Sequence, residues 1–248
     1  MQKKQLHLSI LCSFISLSAY AECFDPPASK VNWDSCDKNA AQLENVNLNG
    51  AVLKNIKLNL ANLESAQLNN ADLGFSQLKE TNLAKISARN ARFVSANLTK
   101  AKLNNARLKE SAFDRAILTH AKLNQVNAEN AQFYDSDLNN ANLNDGNFTN
   151  ANFEQANLTE ISAKNTIFRQ AKLSRANLHS GQFENADFFK AKLDNSDLSD
   201  ANFNSANLEG ADLHGADIQN ADFTNAKLGN ATWIDRRRCR PGSIGVCK

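Results

Sequence analysis

The sequence has 248 residues, with 28 Lys and Arg against 26 Asp and Glu, which gives a formal net charge of +2. A charge this close to balance excludes the strong positive potential that sequence-independent binding of nucleic acid requires. Only 9 Gly, 3 Pro and 2 Tyr occur, while Ala, Asn and Leu dominate, and such a skew is typical of an internally repeated chain.

The first 21 residues have the features of a secretory signal peptide. Lys3 and Lys4 precede an apolar run, LHLSILCSFISL, which ends in the small-residue stretch SAYA. This order predicts export and cleavage after Ala21. A membrane anchor is the alternative, but about 12 apolar residues fall short of the roughly 20 that a spanning helix needs. We therefore expect a periplasmic or extracellular protein with no membrane span after cleavage.

A pentapeptide pattern runs from Ala41 to Asp235 without insertion, which makes 39 repeats. Leu or Phe fills the central position in 34 repeats, Ala, Ser, Thr or Gly fills the position two residues earlier in 34, and Asn or Asp fills 19 of the positions between them. A period of five fits neither a helix at 3.6 nor a strand at 2. We expect each repeat to form one straight side and a corner, with the small and central side chains inside and Asn or Asp bonding locally to the turn.

The central Phe residues predict how many sides make one coil. All ten fall on three series in which successive members are four pentapeptides apart. A four-sided coil would place each Phe above another, where stacked rings gain more than buried area alone. The series are Phe93, Phe113, Phe133 and Phe153; Phe148, Phe168 and Phe188; and Phe183, Phe203 and Phe223.

Repeats such as ADLHG, ANFNS and ANLEG match the motif small–Asp/Asn–Leu/Phe–x–x, and the chain resembles the pentapeptide-repeat family over about four-fifths of its length. The resemblance implies an all-β fold, a right-handed quadrilateral parallel β-helix. The 39 repeats, taken four to a coil, correspond to about 9.75 coils, and a strand spacing of about 4.8 Å predicts a rod of roughly 45 Å.

Three central positions depart from the motif together. They hold Ala instead of Leu or Phe, and in each case the small position of the same repeat is enlarged. A close-packed interior is destabilised by voids and by overpacking alike, so we interpret the pairs as compensation of volume. The pairs are Ile86 with Ala88, Val126 with Ala128 and Ile161 with Ala163.

Cysteine-bearing segments flank the repeats and have the place of caps, which solenoids need because their terminal coils would otherwise expose the core. Residues 22–40 contain Cys23 and Cys36, and residues 236–248 contain Cys239 and Cys247. A disulfide needs Cα atoms within about 7 Å, so bonds between the two ends of a rod are excluded. The pairs Cys23–Cys36 and Cys239–Cys247 remain. Metal binding is the rival interpretation, although neither pair has further ligands nearby.

No pattern in the sequence predicts catalysis or a cofactor. Three histidines follow the signal segment, His120, His179 and His214, and we expect them on the solvated surface. No Ser-His-Asp set, metal-spaced cluster or glycine-rich phosphate loop accompanies them. We therefore expect neither an enzyme nor a cofactor-binding protein.

Charge is banded along the chain, with nine basic and two acidic residues from Lys85 to Lys122. Arg89 and Lys109 are four pentapeptides apart, as are Lys102 and Lys122, so the two pairs should stack on neighbouring sides. We call these four residues the basic belt, and we predict that they either maintain solubility and register or bind a partner.

A column of acidic and amide residues also follows the spacing of four pentapeptides. Isolated monodentate carboxylates are poor Ca²⁺ ligands, so we interpret the column as a solvated polar ladder and keep weak cation binding as the alternative. Its members are Asp137, Asn157, Asn177, Asp197 and Asp217.

Two functions follow from these observations. The first is a non-enzymatic exported module, a rigid rod whose outer faces bind a protein or an envelope component that the sequence does not identify. The family resemblance implies the alternative, since some members resemble DNA in shape and charge and protect DNA gyrase. Predicted export, a net charge of only −5 over residues 22–235, the unbroken register and the lack of a helical C-terminal segment oppose this alternative.

Overall fold

The computed structural model describes residues 22–248, so the predicted signal peptide lies outside the described residues. Within this range the only helix is the 3-10 helix Glu22–Phe24. The chain is otherwise paired through single parallel bridges between equivalent positions four pentapeptides apart, from Asn32–Val52 to Asp212–Thr232. No helix in the described part of the chain is both long enough and apolar enough to cross a bilayer.

The chain turns at the fourth and fifth residues of each pentapeptide. The fifth residue has a positive φ, as at Asn55 (54°) and Asn70 (59°), whereas the fourth does not, which is the signature of a type II turn. The first N–H of the next repeat closes the turn, with Ala71 N donating to Leu68 O at 3.0 Å. Asn tolerates the left-handed region and fills 14 of these fifth positions, which explains part of its abundance.

Asn and Asp at the second position hold the turn that follows them. Asn142 Oδ1 accepts a hydrogen bond from Asn144 N at 3.0 Å, and Asp187 Oδ1 accepts one from Phe189 N, also at 3.0 Å. The side chain thus binds the backbone two residues further on, as in an Asx turn. This geometry confirms the local bonding expected from the sequence.

Backbone hydrogen bonds join each side to those above and below it. Leu53 N donates to Asp72 O at 2.7 Å, and Val52 N donates to Val31 O at 2.9 Å. The four-sided coil predicted from the Phe spacing is therefore confirmed. We name its sides A to D, where A contains residues 41–45, B 46–50, C 51–55 and D 56–60, and each side recurs four pentapeptides further along the chain.

The three predicted Phe columns are present inside the rod. The rings of Phe113 and Phe133 lie 4.9 Å apart with an interplanar angle of 3°, and the other consecutive pairs in the columns lie 4.7–5.6 Å apart with angles of 17° or less. Edge contacts join one column to the next, as between Phe133 and Phe148 at 6.0 Å. The aromatic columns make one continuous core.

The three central alanines and their enlarged neighbours are all buried. The turn hydrogen bond lengthens to 3.5 Å at Ile86 N and 3.4 Å at Ile161 N, against 2.9 Å at Ala101 N, so a branched side chain in the small position crowds the corner. Ile56 also has a bond of 3.4 Å, yet it keeps Leu58 as its central residue, so the compensation is not obligatory.

The bridged coil begins about ten residues before Ala41, where the pentapeptide pattern of the sequence begins. Asn32 and Asp37 already pair with Val52 and Lys57, so residues 31–40, expected within the cap, form two sides of the coil. Trp33 and Cys36 occupy interior places and are 1% and 2% exposed. Because these residues depart from the Ala and Leu pattern, the motif alone does not reveal their register.

Both ends carry a disulfide. Cys23 and Cys36 are joined with a Cα–Cα distance of 5.5 Å, and Cys239 and Cys247 with one of 4.9 Å. At the C-terminal end the chain reverses and covers sides B and C through the antiparallel bridges Lys227–Ile244 and Thr232–Arg238.

Candidate interaction surface

The interior of the rod is filled, so only its outside can carry function. The central Leu and Phe side chains and nearly all the small-position side chains are buried. The second and fourth residues of each repeat point outward, and the rigid ladder fixes their positions. Among residues 22–248, no three His, Cys, Asp or Glu side chains lie close enough together to hold a metal ion.

The basic belt straddles the corner between sides A and B. Lys102 and Lys122 are bridge partners on side A, and Arg89 lies one coil below Lys109 on side B, where Asn90 N donates to Lys109 O at 3.1 Å. The structure therefore places the two pairs on neighbouring sides, as their spacing predicts.

The two arms of the belt differ in their ion pairing. On side B, an Arg89 amino group lies 3.2 Å from Glu110 Oε1, and Lys109 Nζ lies 3.0 Å from Glu129 Oε2. These carboxylates come from the coil above and offset both charges. The positive potential expected of the belt is therefore weaker on side B than the sequence suggests.

Lys102 and Lys122 have no ion pair with any residue in the described range. Arg107, across the corner from Lys102, is likewise unpaired there. Sequence reasoning left Arg107 out of the belt because it has no basic residue at the equivalent position of the next coil. Its second position in the repeat, two residues past the corner, predicts an outward side chain beside Lys102 and could have indicated it from the sequence.

A groove of about 560 Å³ on side B adjoins this corner. Arg89, Arg107 and Lys109 supply its cations, and no carboxylate lines it. Its remaining polar walls are amides and one hydroxyl, from Asn69, Asn105, Gln125, Asn127 and Ser87. Arg89 and Lys109 are offset by their ion pairs, so the free cation that the groove adds to Lys102 and Lys122 is Arg107. The corner therefore combines these three free cations with hydrogen-bonding groups, which suits an acidic, polar partner.

The model of the pentapeptide-repeat family matches eight copies, over residues 39–74, 76–115, 116–155, 151–188 and 191–230. The chain belongs to the pentapeptide-repeat family. Pentapeptide-repeat proteins fold as right-handed quadrilateral β-helices and are generally structural or interaction modules rather than enzymes. The observed four-sided coil agrees with that fold.

Two solved structures illustrate the similarity of this pentapeptide-repeat protein to others. HetL, which is involved in heterocyst differentiation regulation in the cyanobacterium Nostoc, is 28% identical, with 82% of this chain and 94% of HetL covered and a TM-score of 0.55. QnrB1, a plasmid-mediated fluoroquinolone resistance protein, is 16% identical, with 64% of this chain and 84% of QnrB1 covered and a TM-score of 0.46. No curated protein matches the sequence.

One histidine of this pentapeptide-repeat protein has more partners than the sequence indicates. His179 Nδ1 lies 2.9 Å from Ser199 Oγ, and His179 Nε2 lies 3.1 Å from Ser180 Oγ. Ser199 donates its own hydrogen to Asp197 at 2.6 Å, which leaves its oxygen able to accept a hydrogen bond from His179 Nδ1. The side chain of His179 is 40% exposed, so this chain of bonds is open to water and orients the ring on the surface.

The column that starts at Asp137 serves the turns of side D. Asp137 Oδ1 accepts from Asn157 Nδ2 at 2.9 Å and from Asn139 N at 3.1 Å. Asp197 Oδ1 accepts from Ser199 N at 2.9 Å. Because these oxygens already accept hydrogen bonds from backbone N–H groups and from the amide of the next coil, the geometry supports the interpretation of a structural polar ladder.

Proposed function

We propose that this protein is a non-enzymatic, exported rod that binds an acidic protein or envelope partner through the corner between sides A and B. The observation that carries the proposal is the cluster of Lys102, Lys122 and Arg107, three cations without ion pairs in the described chain. In the proposed scaffold, residues 41–235 supply about 9.75 coils and residues 31–40 add two sides. The disulfide-bearing segments protect its ends.

Rigidity and charge support this assignment. The hydrogen-bonded ladder fixes the backbone of Lys102 and Lys122, so the backbone loses little conformational entropy when a partner docks. Because neither lysine is paired with a carboxylate of the described chain, no ion pair has to break when a partner binds. Complementary charge on a partner raises both the association rate and the specificity. The basic band from Lys85 to Lys122 is followed by a band from Glu129 to Glu160 with six acidic residues and no basic one, so the charge distribution of the rod does not favour the DNA-like alternative.

Export is the part of the proposal that rests on residues 1–21. The basic, apolar and small-residue order of that segment favours cleavage, and the two disulfides are compatible with an oxidising compartment. We expect the mature chain recovered from an exporting cell to begin at Glu22. Intact-mass analysis of the purified protein measures this directly, and a chain that still carries Met1 contradicts it.

The belt is tested by capture of partners after charge reversal. We expect Lys102→Glu with Lys122→Glu to abolish crosslinking of partners in the periplasmic fraction, because the acidic surface of a partner would then meet two acidic side chains. Affinity capture followed by mass spectrometry measures the loss. Each partner is then tested as a purified protein for binding to the native rod.

The chain offers a matched control on another side. Lys172 and Lys192 are also bridge partners in successive coils, but they lie on side C. Lys172→Glu with Lys192→Glu changes the net charge equally and should leave capture intact. Equal loss in both double variants points to overall charge, and retention in both removes the belt from the interaction.

A further inference from the structure

A second recess lies on side B beside the C-terminal end, where two glycines interrupt the rows of outward side chains. Gly229 takes a fourth position, which Glu209 fills in the equivalent repeat of the coil below. Gly210 takes a fifth position, which Lys190 fills in the equivalent repeat of the coil below. The space that they leave has a volume of about 680 Å³, within the range of about 300–1,000 Å³ for small-molecule sites.

The shape of the recess depends on bare backbone. Gly210 has a φ of +69°, and a Cβ at this residue would lie 3.2 Å from Lys190 Cγ. A Cβ on Gly229 would lie 3.3 Å from Gly242 N and 3.4 Å from Glu209 Oε1. The two glycines thus leave an open floor, and the C-terminal segment lies against it at Gly229.

Four polar side chains line the recess without internal partners. Within residues 22–248, none of these side chains has a hydrogen bond or ion pair to another residue, whereas the neighbouring Arg237 pairs with Asp235 at 3.5 Å. The recess therefore presents ammonium, guanidinium, carboxylate and amide groups that are available to a ligand. They belong to Lys190, Arg238, Glu209 and Asn230.

An aromatic ring, Phe189, also lines the recess and holds one of its cations. Lys190 Nζ lies 5.1 Å from the centroid of the Phe189 ring, a distance at which the ring attracts an ammonium group. Arg169 Cζ lies 5.0 Å from the centroid of the same ring, and its guanidinium is paired with Asp187 at 3.1 Å. Phe189 therefore gives the recess an apolar surface and keeps Lys190 beside it.

These groups together define the chemistry of the ligand. Two cations against one carboxylate leave a net positive recess, and the guanidinium fork matches a carboxylate or a phosphate. Glu209 can accept hydrogen bonds from hydroxyl groups, and the Asn230 amide can both donate to them and accept from them, so the recess can pair with the several hydroxyl groups of a sugar. We propose that the recess binds a saccharide that carries a carboxylate or phosphate group.

The recess is separate from the basic belt. Phe189 lies four coils above Lys109 on the same side, which corresponds to about 19 Å at the usual strand spacing. The two sites share no lining residue. Loss of partner capture at the belt and loss of saccharide binding at the recess are therefore independent results.

Calorimetry on the full mature chain tests the recess with three probes. Digalacturonate supplies carboxylates, glucose 6-phosphate supplies a phosphate, and maltose supplies hydroxyl groups alone. We expect saturable binding of at least one acidic probe and none of maltose. We expect Arg238→Ala to weaken that binding about tenfold or more, because it removes a charge-assisted hydrogen bond, and Arg237→Ala to leave it unchanged.

Chemical-shift changes supply a second measurement that does not depend on a variant. The amides of Gly210 and Gly229 should shift on titration with the bound probe, whereas those of Gly50, at the other end of side B, should not. The acidic probe that binds identifies carboxylate or phosphate as the recognised group. Absence of saturable binding by both, equal binding of maltose, or an unchanged affinity in Arg238→Ala overturns the proposal.

Discussion

Replacement of Phe133 by Ala should lower the free energy of unfolding by about 3–5 kcal/mol, the largest single-residue effect that we expect in this rod. Phe133 is fully buried, with its ring 4.9 Å from that of Phe113 and 4.7 Å from that of Phe153. The cavity would open in the middle of the column, where the bridged coils above and below hold the backbone and prevent collapse. Urea denaturation followed by circular dichroism measures the change.

Leu provides the matched control at the same position. The central position holds Leu in 24 of 39 repeats, so the backbone accepts it, and Phe133→Leu should cost less than about 1.5 kcal/mol. The difference in unfolding free energy between the two variants separates the cost of the cavity from the cost of losing the aromatic ring. If Phe133→Ala destabilises no more than Phe133→Leu, the column does not stabilise the rod in the way that its geometry indicates.

Replacement of Gly146 by Ala should destabilise the rod by about 1–3 kcal/mol, although Ala is the commonest residue at this position. A Cβ on Gly146 would lie 2.7 Å from Phe148 Cε2 and 3.0 Å from Leu143 O. Phe148 is the first ring of its column and stands above Ala128, and its edge occupies the space where the methyl group would lie. Thermal or urea unfolding of the variant measures the cost.

A double-mutant cycle assigns the cost of Gly146→Ala to this contact. In a Phe148→Leu background the ring is absent, so Gly146→Ala should become close to neutral. Ala131→Gly makes the reverse change before Phe133, where a Cβ is already present, and should cost only about 0.5–1 kcal/mol through backbone entropy. A penalty that persists in the Phe148→Leu background would show that the ring does not cause it.

The same sequence position thus has different requirements in different coils. Gly181 repeats the situation of Gly146, since its Cβ would lie 2.5 Å from Phe183 Cε2, and Phe183 stands above Ala163. The motif classifies Gly, Ala and Ser together as small residues. Only the ring positions in three dimensions separate the repeats that need Gly from those that accept Ala.

The belt illustrates a similar limit for surface residues. The spacing of four pentapeptides is sufficient to place Lys102 beside Lys122 and Arg89 beside Lys109. The same spacing also places Glu129 beside Lys109, but it does not reveal that Glu110, one residue out of register with Arg89, pairs with it, because that contact depends on the side-chain rotamers at the corner. The free cations of the corner therefore include Arg107, which the spacing rule passes over.

The sequence by itself determined the architecture of this protein, because a period that never slips over 39 repeats specifies the same side and corner each time. It also determined the Phe columns and the division into an apolar interior and a polar exterior. The tertiary structure alone decided where the coil begins, which cations stay unpaired, and where two glycines and the returning C-terminal segment leave a recess. Those features arise from contacts between coils and between the cap and the last repeats, so their partners are brought together only when the rod has formed.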